Sequence, residues 1–246
     1  MLAWIIGFGL LGSLGAIGAA ALFLLFPEDV RRFMIPSLVS YATGTLLGAA
    51  FLGMIPAALG RAPVHTVMAS VLAGMVLFFV LEKLVLWRHS HDEPGDARAR
   101  AGPLILFGDS LHNFVDGVII AVAFMTSIPL GIATALAVIA HEIPQEVGEF
   151  AILLDAGYSR SRALMLNALS ASMTLPGGIL AWFWLSGAQQ AVPYVLGLSS
   201  ASFIYIATAD LIPSLHKQQT VPDSVKQFVL LIAGIATIAL FYVGRH

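Results

Sequence analysis

The sequence predicts an all-α integral membrane protein with eight transmembrane helices, the fourth and fifth forming a central hairpin. Three observations predict it. The chain of 246 residues is 59% apolar and only 11% charged, whereas soluble domains run near half apolar and a quarter charged. Apolar stretches long enough to cross a bilayer, about 20 residues each, recur eight times between charged or Pro/Gly breaks. The basic residues alternate from one interhelical segment to the next, as they do when cytoplasmic loops collect Lys and Arg. This composition excludes a soluble enzyme, a disordered tail and a nucleic-acid binder, since the net charge is −2 and the 12 Lys and Arg are scattered. Cys is absent, which rules out disulfides, thiolate metal sites and Cys nucleophiles.

The spans fall at about 3–26, 38–59, 65–87, 104–127, 130–154, 162–186, 191–213 and 225–244. Span one has no Lys or Arg ahead of it and is too long for a signal-peptide core, so it reads as a retained span. Its Gly7, Gly9, Gly12, Gly15 and Gly18 are candidate close-packing positions. Span two carries Met54-Ile55-Pro56, echoed by Leu211-Ile212-Pro213 in span seven, which would suit an inverted repeat of three spans at each end. Glu82 and Lys83 in span three read as a structural pair at a helix end. The loop at about 88–103 reads as a solvated linker, with His89, His91, Asp92 and Glu93 as an alternative low-affinity metal pick-up site. Asp210, before Pro213 in span seven, is a candidate pathway residue. No soluble domain is visible, so residues 1–246 read as a single transmembrane domain.

With the N-terminus outside, the inside segments hold Arg31, Arg32, Lys83, Arg88, Arg98, Arg100, Arg160, Arg162, Lys217 and Lys226, and the outside segments only Arg61 and Arg245. Both termini should therefore be non-cytoplasmic. Such a multi-pass protein is expected in the cell (plasma) membrane.

The stretch between Arg100 and Arg160 holds no Lys or Arg, yet it contains Asp109, Asp116, Glu142, Glu146, Glu149 and Asp155, together with His112 and His141. Asp116, Glu142, Glu146 and Glu149 fall inside spans four and five. A charge at the bilayer centre costs at least ~2.5 kcal/mol. With no basic partner on either helix, these groups must be protonated, hydrated in a cavity or paired with a bound cation. Asp109 and Asp155, nearer the span ends, read as water-facing.

Spacing favours the cation. Residues four apart share a helix face; His112 and Asp116, His141 and Gln145, and Glu142 and Glu146 are such pairs, with Asn113 beside the first. The turn near Ser127-Ile128-Pro129 places both histidines roughly 20 Å from it, near mid-bilayer. An antiparallel hairpin thus brings His112, Asn113, Asp116, His141, Glu142, Gln145 and Glu146 to one level. Two imidazoles with several oxygens suit Zn²⁺, Fe²⁺ or Mn²⁺. Pro144 frees the carbonyl of Ala140, and Gly117 follows Asp116, breaks that a membrane helix tolerates where it lines a cavity. Glu149, one turn further along, is a second-shell, proton-relay or pathway candidate.

His112-Asn113-Phe114-Val115-Asp116-Gly117 and His141-Glu142-Ile143-Pro144-Gln145-Glu146-Val147-Gly148-Glu149-Phe150-Ala151 resemble the paired signatures of the ZIP divalent-metal transporters. Eight spans, outside termini and a His-bearing loop after span three fit that family too. The resemblance implies a binuclear metal centre, with His112, Asp116, His141, Glu142 and Gln145 around one ion and Asn113, Asp116, Glu142 and Glu146 around a second. It also implies movement of metal toward the cytoplasm, by an elevator-like slide of spans one, four, five and six against the rest. Three positions depart from the family pattern: Gln145 stands where the nearest branch has His, 170–176 lacks a carboxylate, and Ala49 and Gly53 stand where relatives often have Asp and His. These weaken the nitrogen content of the first site, the second site and any entrance site respectively.

The function expected is therefore transport of divalent transition metals, Zn²⁺ first and Fe²⁺, Mn²⁺ or Cd²⁺ as alternatives, with no enzymatic activity. The expected partners are the metal ion, the bilayer and a second copy of the chain as a homodimer. Two other readings meet obstacles in the residues. A metalloprotease H-E-x-x-H would need His where Gln145 stands. A bis-His haem at His112 and His141 would set carboxylates against an apolar macrocycle.

Overall fold

The structure, a computed structural model, describes residues 1–89, 97–216 and 220–241, without the side chains of 85–89, 97–105 and 155. His91, Asp92 and Glu93 and the side chain of His89, the candidate pick-up loop, lie outside the described residues. Among these residues there is no strand, and eight helices are long and apolar enough to cross a membrane. They are α1 (Leu2–Phe23), α2 (Glu28–Leu59), α3 (Val64–His89), α4 (Ala97–Thr126), α5 (Ile128–Asp155), α6 (Arg160–Gly187), α7 (Gln189–Leu215) and α8 (Val221–Ala239).

Two helices begin well before the charge pattern predicts. α2 starts at Glu28, because Glu28 and Asp29 suit a helix N-terminus and Arg32 pairs with Glu28 at 2.6 Å. These charges end the apolar stretch without ending the helix. α4 starts at Ala97, which shortens the loop before it and sets Asp109 deep within a helix.

The connections follow local chemistry. Ser127 caps α5, accepting from the Leu130 amide at 3.3 Å, with Pro129 in the first turn. α5 ends in a Schellman turn: Gly157, at φ +89°, lets the Tyr158 amide reach the Leu153 carbonyl (3.1 Å) and its own amide that of Leu154 (3.0 Å). Ser159 then caps α6. α6 is interrupted at Ser172-Met173 because Pro176 cannot donate to the Ser172 carbonyl, which accepts from Leu175 at 3.2 Å instead.

The two Ile-Pro echoes occupy matching local structure. Wide π turns at Ala49–Met54 in α2 and Ile206–Leu211 in α7 each end just before the Ile-Pro pair. The widened turn accommodates a proline ring that a regular α-turn would press against the preceding carbonyl.

Packing divides the helices into two groups. α6 lies along α4, which also flanks α5, and α1 packs on α5 and α6. α8 lies along α2, α7 along α3, and α7 also touches the π turn of α2. The second group meets the first chiefly through α2 against α5. The division into α1, α4, α5 and α6 against the remainder is the one the family resemblance implies. The core along the boundary includes Leu46 and Met54 of α2, Ile119, Ile120 and Phe124 of α4, Leu130 of α5 and Phe203 of α7, all fully or almost fully buried.

In lipid, association of helices depends on close packing rather than on escape from water. Close approaches of helix to helix recur in three pairs: Gly44 and Gly234 between α2 and α8, Gly74 and Gly197 between α3 and α7, and Gly117 and Gly177 between α4 and α6. The glycines of α1 carry this role only in part: a Cβ at Gly9 would stand 3.3 Å from the Leu175 side chain of α6, and one at Gly15 would stand 3.2 Å from Leu11 of its own helix, whereas at Gly7 or Gly18 it would meet nothing within 4 Å and at Gly12 only ordinary contacts. Glu82 reaches across to α7, accepting a hydrogen bond from the Tyr205 hydroxyl.

Candidate metal centre

The hairpin of α4 and α5 determines depth. Residues equally far along the chain from Ser127, one before and one after, stand at the same level on the two antiparallel helices. His112 and Glu142 are such a pair, and Asp116 and His141 lie within a turn of them. The donor atoms of His112, Asp116, His141 and Glu142 all fall within 4.8 Å of one another. His112 Nε2 is 3.2 Å from His141 Nε2, 3.3 Å from Glu142 Oε1 and 3.7 Å from Asp116 Oδ2. His141 Nε2 is 3.2 Å from Asp116 Oδ2 and 3.5 Å from Glu142 Oε1.

These separations have a chemical meaning. Four ligands bound to Zn²⁺ at 2.0–2.1 Å in a tetrahedron stand about 3.3–3.4 Å from each other. Five of the six separations among the four donors, at 3.2–3.7 Å, are close to that size.

Burial and hydrogen bonding sharpen the point. Asp116, His141 and Glu142 are at most 1% exposed. Both carboxylate oxygens of Asp116 and of Glu142 are buried without a hydrogen-bond donor. A buried carboxylate in that condition is costly unless a cation compensates it. His141 Nδ1 lies 3.0 Å from the Ala137 carbonyl. A carbonyl only accepts, so Nδ1 holds the ring proton and Nε2 presents its lone pair to the centre. Phe203 of α7 packs edge-on to the His141 ring, with centroids 6.1 Å apart, and restrains its orientation from the opposite helix group.

The remaining expected residues sit around this foursome. The α5 face toward α4 bisects His141 and Glu142, so these neighbours converge, and Gln145 falls one turn further along. Its Nε2 is directed at Asp109 Oδ1 and Glu149 Oε1, 3.4 Å from each. Asn113 donates to Asp109 Oδ1 at 2.9 Å, and its Oδ1 lies 3.0 Å from the Thr174 hydroxyl of α6. Glu146 is 1% exposed with both carboxylate oxygens unpartnered, and Asn167 of α6 donates to its backbone carbonyl at 3.3 Å. Asp210 is exposed on the π turn of α7, outside the group of four.

Three participants were not anticipated. Asp109 is only 3% exposed, not water-facing; judged by distance from a span end it looked peripheral, but α4 extends far enough to enclose it. Thr174 and Asn167 bring α6 to the hairpin, although 170–176 lacks a carboxylate. Asn167, an amide in an otherwise apolar stretch, was the signal available for this.

A family model described as ZIP Zinc transporter matches residues 87–242. The chain is 33% identical to zinc transporter ZIP13 of Pongo abelii over 94% of its own length and 77% of that protein's. It is 29% identical to zinc transporter SLC39A7 of Mus musculus, covering 94% of this chain and 68% of the other. With zinc transporter zipt-7.2 of Caenorhabditis elegans it shares 35% identity over 54% of this chain and 29% of the relative. Eight membrane-crossing helices, the paired His-bearing motifs on a central hairpin and this breadth of similarity make one conclusion: the chain belongs to the ZIP zinc transporter family.

Proposed function

We propose that the protein carries divalent transition-metal ions, Zn²⁺ foremost, across a membrane toward the cytoplasm by way of His112, Asp116, His141 and Glu142. The observation that carries this reading is the near-tetrahedral spacing of four donors, three of them buried and His112 part-buried, whose carboxylate oxygens have no other partner. A dication balances the charges of Asp116 and Glu142 and satisfies all four donors at once. Two imidazoles favour Zn²⁺ over Ca²⁺ or Mg²⁺, and Fe²⁺, Mn²⁺ and Cd²⁺ remain competitors. Asn113, Gln145 and Glu146 extend the polar lining, and protons arriving at the carboxylates would compete with the ion and promote its release. The excess of Lys and Arg on alternate loops supports non-cytoplasmic termini, and the reading places the protein in the cell membrane.

Purified protein in liposomes loaded with a Zn²⁺-sensitive dye tests the reading. Zn²⁺ entry should exceed that of protein-free vesicles and saturate, and Fe²⁺, Mn²⁺ and Cd²⁺ should slow it while Ca²⁺ does not. Flux indistinguishable from empty vesicles would refute it.

A further inference from the structure

The four-residue centre leaves a second set of buried acids unused. Asp109 on α4 and Gln145 on α5 lie equally far along the chain from Ser127, so they face each other at one level. That level is about one helical turn from His112, displaced toward the Ala97 end of α4 rather than toward the α4–α5 turn. Glu149 follows one turn further along α5 in the same direction. A single amide nitrogen, Gln145 Nε2, lies 3.4 Å from both Asp109 Oδ1 and Glu149 Oε1. The other oxygens, Asp109 Oδ2 and Glu149 Oε2, are buried with no partner. Asp109 is 3% exposed, and none of Asp109, Glu146 and Glu149 forms an ion pair with Lys or Arg among the described residues.

We propose that Asp109, Glu149 and the carboxamide of Gln145 form a second cation station, where a divalent ion pauses between the four-residue centre and the face toward which the Ala97 end of α4 leads. The inference rests on the proposed transport reading, because the ion reaches this station from that centre. The amide now donates to both carboxylates. With a cation between them it turns over and presents its oxygen, an exchange of nearly isosteric groups. The donor set is then all oxygen, so it holds Zn²⁺ less tightly than two imidazoles and two carboxylates do. A weaker site on the exit side can receive the ion without trapping it. The direction follows from the sequence order of both helices, since Asp109 precedes His112 and Glu149 follows Gln145.

Equilibrium dialysis of the full chain in nanodiscs against Zn²⁺ tests the station separately from the centre. Wild-type protein should bind two equivalents of unequal affinity. Asp109→Asn combined with Glu149→Gln keeps volume and removes charge. It should weaken the lower-affinity equivalent by at least the 10–100-fold typical of a lost supporting group, and leave the tighter one within about threefold. Retention of that tight equivalent is also the test of folding. His141→Ala should have the opposite pattern and remove the tight equivalent. If the double variant keeps both equivalents, loses both, or if the wild type binds only one, the station is overturned. If the wild type binds none, it is the transport reading that fails.

Discussion

Replacing Asp116 by Asn should bring Zn²⁺ transport down to the level of protein-free vesicles while leaving the protein folded. Asp116 is fully buried, and its Oδ2 stands 3.2 Å from His141 Nε2 and 3.7 Å from His112 Nε2. Asn has the same shape and volume, so the packing between α4 and α5 survives. The negative charge does not, and an amide is a poor ligand for Zn²⁺ beside two imidazoles. Loss of a group that merely orients a ligand costs 10–100-fold in metal affinity; loss of a fully buried charged ligand should cost at least about 100-fold. Asp29→Asn, at the exposed start of α2, is the matched control and should transport normally. Zn²⁺ uptake into liposomes, with size-exclusion profiles of each variant, reads the outcome. Substantial uptake by Asp116→Asn would show that the ion crosses without this carboxylate, and the tetrahedral centre would lose its role.

Much of that centre was legible before any coordinates. The run without Lys or Arg isolated α4 and α5, and the turn at Ser127-Ile128-Pro129 placed their histidines at one depth. What a single helix cannot reveal is which of its faces meets a neighbour. Fourfold spacing grouped His141 with Gln145, yet the face toward α4 lies between His141 and Glu142, so these adjacent residues converge and Gln145 meets Asp109. Helix ends were blurred for a related reason. Charges at Glu28, Asp29 and Arg32 interrupt hydropathy but strengthen a helix start, so α2 outran its apolar segment and α4 enclosed an aspartate that seemed to face water. The close-packing glycines were the least legible, because their function belongs to a pair of helices. Five regularly spaced glycines in α1 looked like a packing stripe, while isolated glycines on α4 and α6 form the tight contact.

That contact yields the largest effect expected on folding. Gly177→Ala should destabilise the protein severely, whereas Gly7→Ala should leave it unchanged or slightly more stable. Both glycines lie within helices, where Ala is favoured over Gly by about 0.8–1.0 kcal/mol. Propensity alone therefore predicts a gain at both. Space reverses the sign at one. A Cβ at Gly177 would stand 2.0 Å from the Phe114 carbonyl oxygen and 2.9 Å from its carbon. The obstacle is backbone, which has no rotamer to change, and Gly117 meets the Thr174 carbonyl oxygen at the same 2.0 Å from the other side. Relief requires α6 to move away from α4, which separates Thr174 from Asn113 next to the candidate metal centre. Ordinary overpacking costs 1–3 kcal/mol, and a clash between two helix backbones should reach or exceed about 3 kcal/mol, more than threefold the propensity gain. At Gly7 nothing lies within 4 Å, so the propensity term stands alone. Thermal unfolding in detergent and the yield of monodisperse protein measure both variants. Equal melting temperatures for the two would mean that α4 and α6 are not in backbone contact, and that the hairpin is held by something other than the glycine seam on its flank.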